Sequence, residues 1–175
     1  MTSKDSSASN GGKKGNCSVL FVCMGNICRS PLAEGIFRQA VADAELDALV
    51  TVDSAGTGNW HAGDGPDPRS VETAARHGID ISMQRARQVE PADYDRFDLI
   101  FAMDRSNEAT LKARAPLARH DRIHLFLEHT MGTRADIPDP YYGGDDGFGN
   151  VYQLLRDGCQ TLLERLGAEL RQPSG

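Results

Sequence analysis

The chain has 175 residues, of which 39% are hydrophobic and 25% are charged, with a formal net charge of -6. Such a length and composition are typical of a globular protein with one hydrophobic core, so we expect a single domain. The acidic balance excludes a general nucleic-acid binder, because phosphate backbones are bound by clustered Lys and Arg side chains. Any anion that the protein binds must therefore be held by a local group of residues.

Residues 1–16 are mostly Ser, Gly, Lys and Asn, which predicts a disordered polar tail before a domain at residues 17–172. No apolar run approaches the roughly 20 residues of a membrane span, so we predict no membrane partner. The four cysteines have neither the spacing of a disulfide framework nor histidines at zinc-site spacing. We expect a cytoplasmic protein without a metal or another cofactor.

The first element in chain order is the apolar run Ser18–Cys23, which predicts a strand buried on both faces of a parallel sheet. A helix follows it, with Pro31 in its first turn and Ser30 as its cap. A second strand is predicted at Leu49–Val52. The next helix begins at Asp67-Pro68.

The second half of the chain continues this alternation. Gly78 is expected to close the second helix, and Asp98–Met103 and Ile123–Leu127 are predicted as two further strands. A helix over about Ser106–Arg114 separates them, and apolar residues at helical spacing between Val151 and Leu166 indicate the last helix. The order predicts a doubly wound α/β fold with a mainly parallel four-stranded sheet and helices on both faces.

Ligands of such sheets bind beyond the carboxyl ends of the strands, where Cys23-Met-Gly-Asn-Ile-Cys-Arg29-Ser30 follows the first strand. The N–H groups of a tight loop that leads into a helix can bind a phosphate dianion. The planar guanidinium of Arg29 can bind two phosphate oxygens, and the positive surroundings favour a nucleophilic thiolate at Cys23. We predict that these two residues are catalytic and that the phosphate is held by Met24, Gly25, Asn26, Ile27, Cys28 and Ser30.

Individual residues of this loop have further predicted roles. Gly25 permits a sharp backbone path, and Asn26 tolerates a left-handed backbone conformation. The Ser30 hydroxyl can donate to the thiolate or stabilise it as a leaving group. Reversible oxidation can join Cys28 to Cys23, although passive packing explains Cys28 equally well.

The segment Val22–Pro31 resembles the phosphate loop of the low-molecular-weight protein tyrosine phosphatases. Other landmarks of that family match in order along nearly the whole chain after the tail, namely Asp53-Ser-Ala-Gly56, Pro66-Asp-Pro-Arg69, Arg76-His-Gly-Ile79, Met103-Asp-Arg-Ser-Asn107 and Asp139-Pro-Tyr-Tyr142. The resemblance implies hydrolysis of phosphotyrosine-containing proteins through a phosphocysteine intermediate. It also implies that Ser54 and His77 brace the loop through Asn26. We expect a monomer or weak self-association.

Hydrolysis of phosphotyrosine needs an acid that protonates the leaving oxygen and later activates water. We assign this role to Asp139, because two prolines bracket it and restrain its loop. The resemblance assigns it the same role. Three other aspartates could supply the same carboxylic acid but are not bracketed by prolines, namely Asp136, Asp145 and Asp146.

Aromatic residues in two loops are predicted to form the walls of a pocket for a phenyl ring. Tyr141 and Tyr142 follow the candidate acid, and Trp60 and His61 follow the second strand. The family places pocket walls in both regions.

The main alternative enzyme class is the arsenate reductases of a related fold, which share the C-x5-R loop. Their chemistry passes oxidation to additional thiols, but no cysteine occurs between Cys28 and Cys159, and Cys159 falls in the apolar stripe of the last helix. A sugar-transport phosphocarrier would need neither the arginine nor the acid loop. A non-catalytic phosphotyrosine-binding module would lack the nucleophile or the acid.

Overall fold

The computed structural model describes residues 16–143 and 146–171. The strands are β1 Cys17–Cys23, β2 Val50–Gly56, β3 Leu99–Ala102 and β4 Ile123–Leu125. They form one sheet in the order β2-β1-β3-β4, and each of these pairings is parallel. The helices are α1 Arg29–Asp43, α2 Pro68–Ala75, α3 Asp93–Arg96, α4 Arg105–Arg114, α5 Phe126–Met131 and α6 Asp146–Arg171, with two 3-10 turns at Leu117–Arg122 and Pro140–Tyr142. The doubly wound α/β fold predicted from the sequence is confirmed.

Helices cover both faces of the sheet because successive side chains of a strand point to opposite sides. Val19 and Phe21 of β1 pack on one side, in a core shared with α1, α5 and α6. Leu20 and Val22 pack on the other side with α3 and α4, where Leu111 is one of their partners. All five side chains are fully buried, as the continuous apolar run of β1 predicts.

The fourth strand is shorter than predicted, because it ends at Leu125 and Phe126 begins α5. The buried Phe126 ring packs edge-on against Phe21 and Phe101. Helix α6 lies so close to this ring that a Cβ at Gly158 would be 2.5 Å from it. Tertiary packing thus favours helix α5 from Phe126 onward. The sequence periodicity of the five residues 123–127 does not reveal this packing.

The predicted start of the second helix is confirmed, whereas the predicted cap of the first is wrong. Asp67 caps α2 by accepting a hydrogen bond from the Arg69 amide at 2.8 Å. Helix α1 begins at Arg29, and Cys28 precedes it without a side-chain cap. Ser30 therefore lies inside α1, too late to cap it. The first amides of α1 remain available to a ligand.

The carboxyl ends of the inner strands meet at one edge of the sheet. Cys23 at the end of β1 pairs with Gly56 at the end of β2, and Val22 pairs with Ala102 at the end of β3. The loops that leave these strands therefore converge where a doubly wound fold is expected to bind its ligand.

None of the helices in the described ranges combines the length and the apolar character that a membrane crossing requires. The predicted polar tail, except for Asn16, lies outside the described residues. So does residue 172, where we placed the end of the domain.

Candidate active site

The loop between β1 and α1 turns its carbonyl groups outward. The carbonyls of Cys23, Met24, Ile27 and Cys28 accept hydrogen bonds of 2.8 to 3.1 Å from the Thr57, Gly58 and Asp67 amides and the Ser70 hydroxyl. The amides of residues 24–28, by contrast, have no acceptor among the described residues. Unpaired amides on the inside of a loop, next to the positive end of the α1 dipole, form a binding site for an anion.

Asn26 holds this loop in shape. Its φ of +58° is the left-handed conformation that asparagine tolerates, which costs roughly 1–2 kcal/mol outside glycine. Its buried side chain donates to Ser30 Oγ at 2.8 Å and to Ser54 Oγ at 3.0 Å, and it accepts from the Arg87 amide at 3.0 Å. These three hydrogen bonds offset the backbone strain.

Cys23 lies beneath the loop, with its Sγ 3.0 Å from the Ser30 Oγ. Because this oxygen already accepts a hydrogen bond from Asn26, its own proton is available to the sulfur. A hydrogen bond to sulfur stabilises the thiolate more than the thiol. The Ser30 hydroxyl therefore contacts Cys23 and does not cap helix α1.

Arg29 is held in the site through one nitrogen of its guanidinium. Nη1 donates to Asp104 Oδ2 at 2.7 Å and to the Ile137 carbonyl at 2.9 Å. Burial would lower the pKa of Arg29, but Cys23 and Asp104 outweigh this effect and the pKa is raised. Nη2 lies 3.6 Å from Asp139 Oδ2, and Nε has no acceptor within the described ranges. The Nε and Nη2 edge is thus free to bind two phosphate oxygens.

Asp139 lies at the mouth of the pocket, in the segment after α5. Its Oδ1 accepts a hydrogen bond from the Tyr141 amide at 3.0 Å and so caps the 3-10 turn that follows. Its Oδ2 faces Arg29. The carboxyl is therefore fixed beside the anion-binding loop while remaining accessible to solvent.

The competing carboxylates occupy other places. Asp136 accepts from the Arg105 amide at 2.9 Å and from its Nε at 3.0 Å, and the hydrogen bonds from Arg105 lower the pKa of Asp136. Asp146 begins α6, and Asp145 lies outside the described residues. Neither Asp136 nor Asp146 lines the pocket.

Aromatic side chains form part of the pocket wall, but Trp60 is not one of them. Besides loop residues such as Met24 and Ile27, the pocket is lined by Asp139, His61, Tyr141 and Tyr142. Trp60 is 70% exposed, and its ring lies over Gly58, where a Cβ would be 1.7 Å from it. This corrects the prediction for Trp60. Gly25 has no positive φ, but a Cβ there would approach the His61 ring to 3.1 Å.

The two predicted supporting residues differ in their position. Ser54 contacts the loop through Asn26, whereas His77 stacks on Tyr152 of α6 with ring centroids 3.7 Å apart. Helix α2 ends before His77, and Gly78, at a φ of +77°, turns the chain toward the next segment. The bracing role predicted for His77 is therefore wrong in this chain.

The remaining thiols are poor nucleophiles. Burial raises the pKa of Cys28 to about 12 and that of Cys17 to about 12. Burial also raises the pKa of Cys159, which lies on the buried face of α6 in the hydrophobic core. Within the ranges that the structure describes, no cluster of His, Cys, Asp and Glu side chains is arranged to hold a metal ion.

Asp104 contacts Arg29 in the candidate site, and this contact was not among the predictions from the sequence. It follows β3 directly, caps α4 by accepting from the Asn107 amide at 2.7 Å, and uses its other oxygen for Arg29. A signal for it was present in the sequence, because an aspartate between a buried strand and a helix lies at the same edge of the sheet as Cys23.

Comparison with known proteins agrees with this geometry. Residues 18–172 match the family model of the low molecular weight phosphotyrosine protein phosphatases. The Schizosaccharomyces pombe protein of that name is 45% identical over 153 residues, which are 86% of this chain and 97% of that protein. The crystal structure of YfkJ from Bacillus subtilis superimposes with a TM-score of 0.83 at 43% identity, covering 90% of this chain and 98% of that chain. A protein tyrosine phosphatase from Entamoeba histolytica gives 0.83 at 35% identity, covering 87% and 98%.

The doubly wound sheet, the family match and the structural neighbours define the class as a low molecular weight protein tyrosine phosphatase fold. The chain belongs to the low molecular weight phosphotyrosine protein phosphatase family.

Proposed function

We propose that this protein hydrolyses phosphotyrosine in proteins, and aryl phosphates in general, through a phosphocysteine at Cys23. The observation that carries the proposal is the arrangement around this sulfur. Unpaired amides of residues 24–28 and the free edge of Arg29 surround one space, and the Asp139 carboxyl borders it. Family membership supports the same reaction.

In the first step, the Cys23 thiolate attacks phosphorus and the bond from phosphorus to the phenolic oxygen breaks. Asp139 in its acid form donates its proton to that oxygen, so that a neutral phenol leaves. The loop amides and Arg29 stabilise the charge on the three equatorial oxygens of the transition state. The product of this step is phosphocysteine.

In the second step, the Asp139 carboxylate takes a proton from water, and the water oxygen attacks phosphorus. The bond between phosphorus and sulfur breaks, and Cys23 leaves as a thiolate. Ser30, whose hydroxyl lies 3.0 Å from the sulfur, donates to this leaving group. Inorganic phosphate then leaves the loop.

The pocket walls support an aryl substrate. The rings of Tyr141, Tyr142 and His61 border the anion site and suit a flat, amphipathic group. Tyr142 is largely exposed, so the wall is open enough for a tyrosine on the surface of another protein. We propose a cytoplasmic location, which the free state of all four cysteines supports.

Arsenate reduction is the less favoured activity. It would require a second thiol that receives oxidation from Cys23, and Cys159 is 1% exposed in the core. Thiol-dependent arsenate turnover that exceeds phosphatase activity would reverse this preference.

Asp139→Asn tests the proposed acid. We expect kcat for phosphotyrosine to fall about 100-fold or more, because a general acid contributes on that order. The loss of kcat/KM, which reports on the first step, should be smaller for p-nitrophenyl phosphate than for phosphotyrosine, since p-nitrophenolate leaves without a proton. The measurement is steady-state kinetics on both substrates, with and without EDTA. The matched control Asp136→Asn, whose carboxylate binds Arg105, should stay within about twofold. Equal losses of kcat/KM on the two substrates would contradict the assignment.

A further inference from the structure

Glu34 is a buried carboxylate that the proposed reaction does not use. It lies on α1 and is only 6% exposed, so its charge needs partners inside the protein. Its Oε2 accepts from Arg38 Nη2 at 2.5 Å, and its Oε1 accepts from Ser54 Oγ at 2.6 Å. The second contact connects Glu34 to the phosphate-binding loop.

A continuous chain of hydrogen bonds leads from Glu34 to the sulfur. Ser54 Oγ accepts from Asn26 Nδ2 at 3.0 Å, and the same nitrogen donates to Ser30 Oγ at 2.8 Å. Ser30 Oγ lies 3.0 Å from Cys23 Sγ. All five side chains are buried, so water does not compete for these contacts.

The direction of each hydrogen bond follows from the groups at the two ends of this series, the Glu34 carboxylate and the Cys23 sulfur. An ionised carboxylate only accepts, so Ser54 donates to Glu34 and presents its lone pairs to Asn26. Asn26 Oδ1 is occupied by the Arg87 amide, so both protons of Nδ2 are directed at the two serines. The Ser30 proton is then left for the sulfur, its alternative acceptor being the Ala55 carbonyl at 3.4 Å.

We propose that Glu34 is a positioning residue that acts on Cys23 through Ser54, Asn26 and Ser30. The inference rests on the proposed function in one respect, that the sulfur so oriented is the nucleophile. An amide in place of Glu34 that keeps the contact with Arg38, which can only donate, turns its oxygen to Arg38 and its nitrogen to Ser54. Ser54 then no longer donates to a carboxylate, so its oxygen is a weaker acceptor and its contact with Asn26 weakens. Asn26 is no longer held at its left-handed φ, and the Ser30 proton is free to turn away from the sulfur.

The test compares Glu34→Gln, Ser54→Ala and the double variant with the wild type. Glu72→Gln is the matched control, because Glu72 forms the same i,i+4 pair with Arg76 on an exposed surface of α2. The first readout is the pH dependence of iodoacetamide labelling at Cys23, located by tandem mass spectrometry. Cys28 does not interfere, because its pKa is about 12. The second readout is kcat and KM for p-nitrophenyl phosphate.

For Glu34→Gln we expect the labelling midpoint to rise by about one pH unit and kcat to fall about 3- to 10-fold, with KM within about twofold. Ser54→Ala should do the same without disturbing the Glu34–Arg38 pair. The double variant should show the same labelling midpoint and kcat as either single variant, because both substitutions interrupt the same series of hydrogen bonds. The control should match the wild type.

A labelling profile for Glu34→Gln that superimposes on the wild-type profile would overturn the proposal. So would losses that add in the double variant, or a Ser54→Ala profile that does not move. A wild type that hydrolyses no aryl phosphate would refute the proposed function alone, because the labelling profiles still report on the hydrogen-bond chain.

Discussion

Replacing Cys23 by serine is expected to lower kcat for p-nitrophenyl phosphate by at least about 1,000-fold, because a serine hydroxyl stays protonated where a cysteine is a thiolate. In the proposed site the loop amides and Arg29 hold phosphate without this sulfur, so binding of inorganic phosphate should survive. Stopped assays at high enzyme concentration measure the residual rate, and isothermal titration measures the phosphate affinity.

Cys17→Ser is the matched control for this change, because Cys17 begins the same strand at its far end from the site. Its activity should stay within about twofold of the wild type. A Cys23→Ser protein that keeps more than a tenth of its activity would mean that another group attacks phosphorus. Loss of activity in the control would point to damage of β1 instead.

For Arg29→Lys, we expect kcat to fall about 100-fold or more, although the charge is conserved. The guanidinium uses Nη1 for Asp104 and the Ile137 carbonyl and keeps its Nε and Nη2 edge for phosphate. The single ammonium nitrogen of a lysine cannot bind both Asp104 and the phosphate oxygens in this way. The measurements are kcat, KM and inhibition by orthovanadate, which imitates the five-coordinate transition state and should bind more weakly.

Arg105→Lys provides the comparison for this second change. Arg105 also binds an aspartate, Asp136, but on the exposed side of α4 and away from the phosphate loop. Its kinetics should remain close to those of the wild type. If Arg29→Lys lowered kcat only two- or threefold, a point charge would suffice and the bidentate clamp would be wrong.

The central features of the site could be predicted because they are local in sequence. The apolar run of β1 fixed the position of Cys23 at the carboxyl end of a buried strand. Asparagine tolerates a left-handed backbone, and the φ of Asn26 is +58°. The proline bracket pointed to Asp139, which borders the pocket.

What could not be predicted depends on contacts between distant segments. Asp104 is 75 positions from Arg29 in the sequence; its place after β3 indicates the right edge of the sheet, but no local pattern predicts the contact itself. Trp60 and His61 are adjacent, and only the packing of their loop against Gly25 decides which one enters the pocket. His77 was assigned from a resemblance, and its stacking on Tyr152 depends on where α6 lies.

The most direct test of phosphocysteine formation is rapid acid quenching of Asp139→Asn during turnover of p-nitrophenyl phosphate, followed by tandem mass spectrometry. This variant still expels p-nitrophenolate but lacks the base for the second step, so the intermediate should accumulate. The expected result is one phosphoryl group on Cys23, released when the enzyme is left to turn over. A quenched protein with no phosphoryl group, or with one on any other residue, would contradict covalent catalysis by this cysteine.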